Sequence, residues 1–330
     1  MYTPSGYQPA WWLPGSHAQT VAGRLVRRAE PAGLTRERIE LADGDFVDLD
    51  VGVTARAGEP LVLLLHGLEG SARRGYAINT YGALEAFGVA AVGLNFRSCS
   101  GEPNRLARSY HSGDTGDLRA VLDVLASRFP GSPLGIIGYS LGGNVLLKWL
   151  GEEAEAALDR VVACVAVSVP YDLGGCADIL ERSFMGRVYM RVFLKTLVAK
   201  SEAKATLLPA SIDLARARAA TTFRAFDDAV TAPLHGFADA ADYYARSSSA
   251  RVLPSVRVPT LLLHAADDPF YPARDMPWPS IRANPAIETV ITDRGGHVGF
   301  VAGPPWRPRF WVESEAARFL AARLQAGRPA

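Results

Sequence analysis

Five short, almost wholly apolar runs punctuate the chain: LVLLLHG (61–67), VAAVGLN (89–95), LGIIGYS (134–140), VVACVAVS (161–168) and TLLLHAAD (260–267). Continuous runs of this length are the pattern of parallel strands buried on both faces. Between them the period changes to that of helices. DLRAVLDVLASRF puts Leu118, Val121, Leu122 and Leu125 on one face, with Asp114 placed to cap it and Asp117 in its first turn, near the positive end of the dipole. NTYGALEAFG reads as a helix packed on the sheet. RERIELADGDFVDLDV reads as two strands joined by a turn at Asp43-Gly44, and IETVIT as the last strand. Strands alternating with helices predict an α/β fold with a doubly wound, mostly parallel sheet. No internal repeat interrupts it.

The spacing breaks once, between Ser168 and Pro259, where the interval far exceeds a plain crossover. Its composition is mainly helical. The predicted organisation is an N-terminal extension with the first part of the core (1–168), a helical lid or cap insertion (169–250), and the rest of the core (251–330). An insertion at the carboxyl edge of a parallel sheet lies over the place where ligands bind.

Composition narrows the partners. The 330 residues are 48% hydrophobic with a net charge of +1. No strong field favours nucleic acid, and at most weak peripheral membrane contact is expected. Cys99, Cys164 and Cys176 show no metal-like spacing, and an odd, sparse count suits a reducing compartment. MYTPSGYQPAWWLPGS has neither a basic n-region nor an apolar h-region, so the expected location is the cytoplasm. The oligomeric state is left open.

The chemistry centres on Gly138-Tyr139-Ser140-Leu141-Gly142, a G-x-S-x-G motif between a predicted strand and helix. A serine at so sharp a turn is held clear of the sheet, and glycines two residues to either side make room for it. The Leu141 N–H, at a helix N-terminus, points where an oxyanion would form. Serine needs a base. In a strand–turn–helix serine site the order is serine, acid, histidine, which selects His297 in DRGGHVGF. His264 lies inside an apolar strand and reads as a core residue, His235 falls in the insertion, and His66 reads as loop packing. The acid belongs after TLLLHAA. Asp268, before Pro269, is preferred to Asp267, which reads as a turn-former. HGLEGS after LVLLL offers a second oxyanion donor, the N–H of Leu68.

These motifs together resemble the α/β-hydrolase superfamily and, within it, the YheT-like hydrolases related to the plant embryogenesis-associated type. The likeness runs through HAQT (17–20), LADGDFVDLD (41–50), HGLEG (66–70), NFRSCSGEPN (95–104), YHSGDTGDL (110–118), GYSLGGN (138–144), DYYARSS (242–248), DDPF (267–270) and GGHVGF (295–300). It implies a serine hydrolase, generally an esterase, with some relatives acting on phospholipids. It supports Ser140, Asp268 and His297 as the triad. One departure is Ser98, where the family tends to have glycine; a positive φ there would strain a serine. Cys99 reads as a packed thiol. His111 and Asp114 are too few for a metal site.

The expected reaction is acyl transfer from a small ester or lipid-like substrate to water, without metal or organic cofactor. Thioester or amide hydrolysis on the same triad, and a non-catalytic binding module, remain alternatives. A dehalogenase would carry an aspartate at position 140. In MGRVYMRVFLKTLVAK (185–200), Met185, Val188, Tyr189, Val192, Phe193 and Leu197 recur at helical spacing, with Arg187, Arg191 and Lys195 elsewhere. The stripe reads either as core packing or as the roof of an acyl pocket. Tyr139, Val192 and Phe193 are the candidate substrate contacts.

Overall fold

The computed structural model describes residues 2–27 and 33–326. The outer predicted segments, 1–168 and 251–330, include Met1, residues 28–32 and residues 327–330, which lie outside the described residues. Each of the five apolar runs becomes a strand, β3 (Leu61–Leu65), β4 (Ala90–Asn95), β5 (Leu134–Tyr139), β6 (Ala163–Val167) and β7 (Thr260–Ala265), and IETVIT becomes β8 (Ile287–Thr292). The hairpin forms as β1 (Leu34–Glu40) and β2 (Phe46–Gly52). The eight strands lie in the order β1-β2-β4-β3-β5-β6-β7-β8. β1–β2 and β2–β4 are antiparallel, and every pair from β4 to β8 is parallel.

Alternation along the strands explains the layers. Leu61, Leu63 and Leu65 belong to one apolar cluster and Val62 and Leu64 to another, so successive side chains of β3 serve opposite faces. On the first face lie α3 (Gly116–Arg128) and α4 (Leu141–Glu153), which contribute Leu118, Val121, Leu122, Leu125, Val145 and Trp149. On the second lie α2 (Gly75–Glu85) and α12 (Trp311–Ala326), with Ala77, Leu84, Phe319 and Leu320. Burying each such large apolar side chain stabilises the fold by about 1.5–3 kcal/mol. A short helix, α1 (Ser16–Val26), precedes the sheet, and α11 (Trp278–Ala283) leads into β8.

The long interval after β6 is helical: α5 (Leu173–Arg182), α6 (Phe184–Ala203), α7 (Leu214–Ala219), α8 (Phe223–Phe226), a π-helical turn (Asp227–Thr231), α9 (Ala232–His235) and α10 (Ala240–Ser247). These helices build two small apolar clusters of their own. Among the described residues no helix is long and apolar enough to cross a membrane, and no group of three or more His, Cys, Asp or Glu is placed to hold a metal ion.

One local reading changes and two gain detail. IETVIT is not the last strand: β9 (Val301–Ala302) and β10 (Arg309–Phe310) form a separate short ladder. Thr115 occupies the cap position of α3 without a side-chain cap, and Asp114, just before it, accepts from the Gly116 N–H at 3.3 Å while also pairing with Arg108 at 2.9 Å. Asp117 lies in the first turn of α3 as expected, but it does more than face the helix dipole. It is buried and accepts from Arg97 Nε at 2.7 Å, and Arg97 also pairs with Asp43 and Asp45.

His264 is fully buried, with Nε2 donating to Tyr271 O at 2.7 Å. His66 is buried too; Nδ1 donates to Gly67 O at 2.7 Å and Nε2 accepts from the Phe96 N–H at 3.2 Å. Burial pushes His66 down to about 3 and lowers His264. Both are therefore neutral when folded and take up a proton near pH 6.5 when unfolded. The stability this contributes is complete above pH 6.5 and is lost as pH falls toward the folded values. The expected loss approaches about 1.4 kcal/mol per pH unit for His66 below pH 6, and His264 adds to it in the same direction. Urea unfolding at pH 7, 6 and 5 checks this; a free energy independent of pH across that interval would refute it.

Candidate active site

The turn between β5 and α4 carries Ser140 at φ 51° and ψ −117°. A non-glycine residue pays about 1–3 kcal/mol for such a conformation, so its surroundings must impose it. They do so by proximity. A Cβ on Gly142 would stand 2.5 Å from Leu65 O and 2.6 Å from His66 O, and one on Gly138 would stand 2.5 Å from Gly142 O. Glycine at both positions lets the start of α4 press against the end of β3, and the serine is extruded from the turn.

Ser140 Oγ lies 2.8 Å from His297 Nε2, and His297 Nδ1 lies 2.9 Å from Asp268 Oδ2. Nδ1 donates to the carboxylate, which leaves Nε2 to accept the serine proton. Asp268 is fully buried. Burial alone would raise its carboxyl, but the adjoining His297 and the Phe270 N–H outweigh that, and it is held below the usual carboxylate range. Phe270 stacks on the imidazole, with ring centroids 4.1 Å apart and planes 3° from parallel. Asp267 points elsewhere and accepts from the Gly296 N–H at 2.9 Å.

The histidine loop turns through several positive φ values: Gly296 at 60°, Val298 at 56° and Phe300 at 44°. Residues distant in the chain hold it there. Thr20 Oγ1 accepts from the His297 N–H at 2.9 Å, and Ser168 Oγ accepts from the Val298 N–H at 3.1 Å. Sequence reasoning missed both. The HAQT motif was the available signal for Thr20. For Ser168 there was only its position at the end of a strand.

Leu68 and Leu141 begin the two segments that meet at Ser140. Among the described residues neither backbone N–H donates a hydrogen bond. Gly67 packs so closely that a Cβ there would lie 3.3 Å from Ser140 Cβ, and its N–H donates to Tyr76 Oη at 3.0 Å. The next residue, Glu69, has φ 53°. Its N–H donates to Tyr110 Oη at 2.8 Å, and its carboxylate receives Tyr110 Oη and Lys200 Nζ, each at 2.8 Å.

A cavity of about 970 Å³ opens over the serine. Met185, Val188, Tyr189, Val192, Phe193 and Leu197 all line it, so the α6 stripe borders the cavity; Tyr189, Met190 and Leu194 are also buried in the helices' apolar cluster, and Met185, Phe193 and Leu197 pack against it. Tyr139 also borders the cavity, but its ring is fully buried, packs on Tyr76 and shares a hydrogen bond with Thr80 Oγ1 at 2.7 Å. Cys99 is a buried thiol, pushed up to about 11 by burial. His111 and His235 lie ring to ring, 4.6 Å between centroids. Ser98 does adopt a positive φ, 60°, and Asn104 pins it by accepting from its N–H.

A strand–serine–helix elbow on a mostly parallel sheet, with histidine and aspartate arriving from later strand ends, defines a class of hydrolases. A family model described as alpha/beta hydrolase fold matches residues 60–304, and the chain belongs to that family. Within it the chain is similar to YheT of Escherichia coli (strain K12), with 40% identity covering 94% of this chain and 91% of that one. It is also similar to the phospholipase ABHD3 of Mus musculus, at 30% identity over 97% and 79% of the two chains. The solved esterase Pf2001 of Pyrococcus furiosus shares the fold, with a TM-score of 0.56 at 17% identity over 98% of this chain and 100% of that one.

The elbow's dependence on glycine is testable. Gly142→Ala would drive a methyl into two backbone carbonyls, neither of which can swing away. The expected result is a clear fall in Tm, corresponding to a destabilisation of about 1–3 kcal/mol or more, together with loss of serine reactivity. A variant matching the parent in both would show that the turn has slack.

Proposed function

We propose that this chain hydrolyses carboxylic esters through an acyl-enzyme on Ser140. The observation that carries the reading is the unbroken line from Ser140 Oγ through His297 to the buried Asp268, with steps of 2.8 and 2.9 Å. Ser140 Oγ attacks the ester carbonyl as its proton passes to His297 Nε2. The carbonyl π pair moves onto oxygen, facing the N–H groups of Leu68 and Leu141. The intermediate collapses, the C–O bond to the alcohol breaks, and His297 returns the proton to that oxygen. Water then repeats the sequence, giving its proton to His297, and Ser140 leaves with it as the acid departs. Asp268 keeps Nδ1 protonated and stabilises the imidazolium. The apolar cavity suits an acyl chain, of short to medium length or from a lipid ester, and the phospholipase name of the mouse relative agrees with it.

An activated phosphonate should label one serine, and Ser140→Ala should abolish the label. Asp268→Asn should lower kcat by about 10⁴. Asp267→Asn keeps an oxygen for the Gly296 N–H and should lose little. Persistent labelling of Ser140→Ala would remove the nucleophile, and the reverse ranking of the aspartates would reassign the acid.

In this reading the helices after β6 form a lid, and α6 reads the acyl group. Val192 is 47% exposed although it borders the cavity, so it stabilises the core little and has surface to offer a substrate. Val192→Ala and Phe193→Ala, made singly, should shift the preferred acyl length in kcat/KM across an ester series. An unchanged length profile with a lowered Tm would make the stripe core packing alone.

A further inference from the structure

The wall contributed by the helices after β6 contains a charged group that the proposed hydrolysis does not use. Asp227 opens the π-helical turn and lines the same cavity as Ser140. Thr231 Oγ1 donates to its Oδ1 at 2.6 Å, and Tyr244 Oη donates to its Oδ2 at 2.7 Å. Among the described residues Asp227 makes no ion pair. Arg224 is engaged elsewhere, donating to Asp178 Oδ1 at 2.9 Å with its guanidinium over the Tyr244 ring. The neighbouring Asp228 does ordinary structural work, accepting from the Ala240 N–H at 2.7 Å.

A carboxylate has about four acceptor sites, and two of those on Asp227 are filled. Its surroundings are Phe223, Phe226 and the rings of Tyr243 and Tyr244, all part of the cavity lining. The Arg224 charge favours the ionised form without pairing with it, and exposing an ion to an apolar cavity without a paired cation is costly, a cost that a neutral side chain of the same shape would avoid. Burial pushes Asp227 up to about 6, which leaves it mainly ionised at neutral pH. π-helical turns recur at functional positions because they turn a side chain out of the regular helical register.

Resting on the ester-hydrolase reading above, we infer that Asp227 is the centre of a polar subsite, which accepts a hydrogen bond from a hydroxyl or primary ammonium group that the substrate carries away from the ester. The substrate class is then an acyl ester with a remote hydrogen-bond donor. The apolar walls take up the chain between the two polar ends, and Asp227 selects among chains that fit.

The test uses p-nitrophenyl esters of straight-chain acids from hexanoate to decanoate, each ending in methyl, hydroxyl or ammonium. At one chain length at least, the intact enzyme should prefer a donor-ended ester over its methyl-ended counterpart by about tenfold or more in kcat/KM, the range of a hydrogen bond to a charged group. Hydroxyl and ammonium arms identify which donor is read. Asp227→Leu should bring the ratio to one, and Tyr244→Phe, which keeps the carboxylate, should retain the preference. No preference at any length, or a preference surviving in Asp227→Leu, overturns the subsite. Should Asp227→Leu fail to fold, Asp227→Asn must still lose the ammonium preference. If no ester of any kind is cleaved, the ester-hydrolase reading fails by itself. The subsite is then judged by calorimetry on Ser140→Ala with 10-hydroxydecanoate against decanoate, where equal affinity overturns it.

Discussion

The closest approach in the molecule that matters is that of the first turn of α4 to the end of β3. Only glycine at 142 allows it, because Leu65 O and His66 O occupy the space where a side chain would begin. That contact forces Ser140 into its unfavourable backbone conformation and simultaneously sets what surrounds it. β3 and β5 are neighbours in parallel register, Leu65 opposite Gly138, so the loop that leaves β3 must pass the elbow. Gly67 thus lies against Ser140 by the pairing of two strands and not by any attraction of its own. Local strain at one residue is sustained by the whole hydrophobic sheet, which is how a sheet of buried Leu, Val and Ile can hold a polar group in place.

The histidine loop obeys a different constraint. It has no regular structure, and its backbone N–H groups must be satisfied one by one. Asp267 satisfies Gly296, Thr20 satisfies His297 and Ser168 satisfies Val298. Each acceptor comes from a separate element: the end of β7, α1 and the end of β6. Arg27, at the end of α1, adds a bond to Gly299 O at 2.8 Å and pairs with Glu313 at the start of α12. The imidazole position is therefore an average over the packing of four parts of the chain.

This contrast explains what was legible beforehand. The strands β3 to β7 were readable because burial on both faces leaves an unbroken apolar run, β8, half-buried at the sheet edge, from its β-branched residues, and the hairpin from Asp43-Gly44. Ser140 could be singled out because its constraint is local: two glycines and a strand–helix junction lie within five residues. Thr20 and Ser168 could not, because a hydroxyl that serves a loop hundreds of residues away leaves no periodic trace. The start of α3 was legible in part. Asp114 and Asp117 do sit at the helix start, but the arrival of Arg108 and Arg97 through folding to pair with them left no mark in one dimension. On α6 the sequence period marked a stripe without saying what it faced. The stripe both packs on the cluster around Met190 and Leu194 and borders the cavity.

The helices after β6 are not loosely hung on the core. Near its C-terminal end α6 sends Lys200 to Glu69, whose side chain is 6% exposed, and to Cys99 Sγ at 3.2 Å. Nearer its start, Tyr189 Oη meets His17 Nδ1 at 2.9 Å and its ring packs 5.0 Å from Phe270, the residue stacked on His297. Withdrawing α6 would leave a buried carboxylate without its cation, which is strongly unfavourable. It would also remove one of the two contacts that hold the Glu69 side chain beside a backbone at positive φ. Glu69 follows Leu68 directly, so the wall of the cavity and the loop beside Ser140 are mechanically one unit. A change of side chain on α6 is then felt at two places at once, in the shape of the cavity and in the loop that faces the serine.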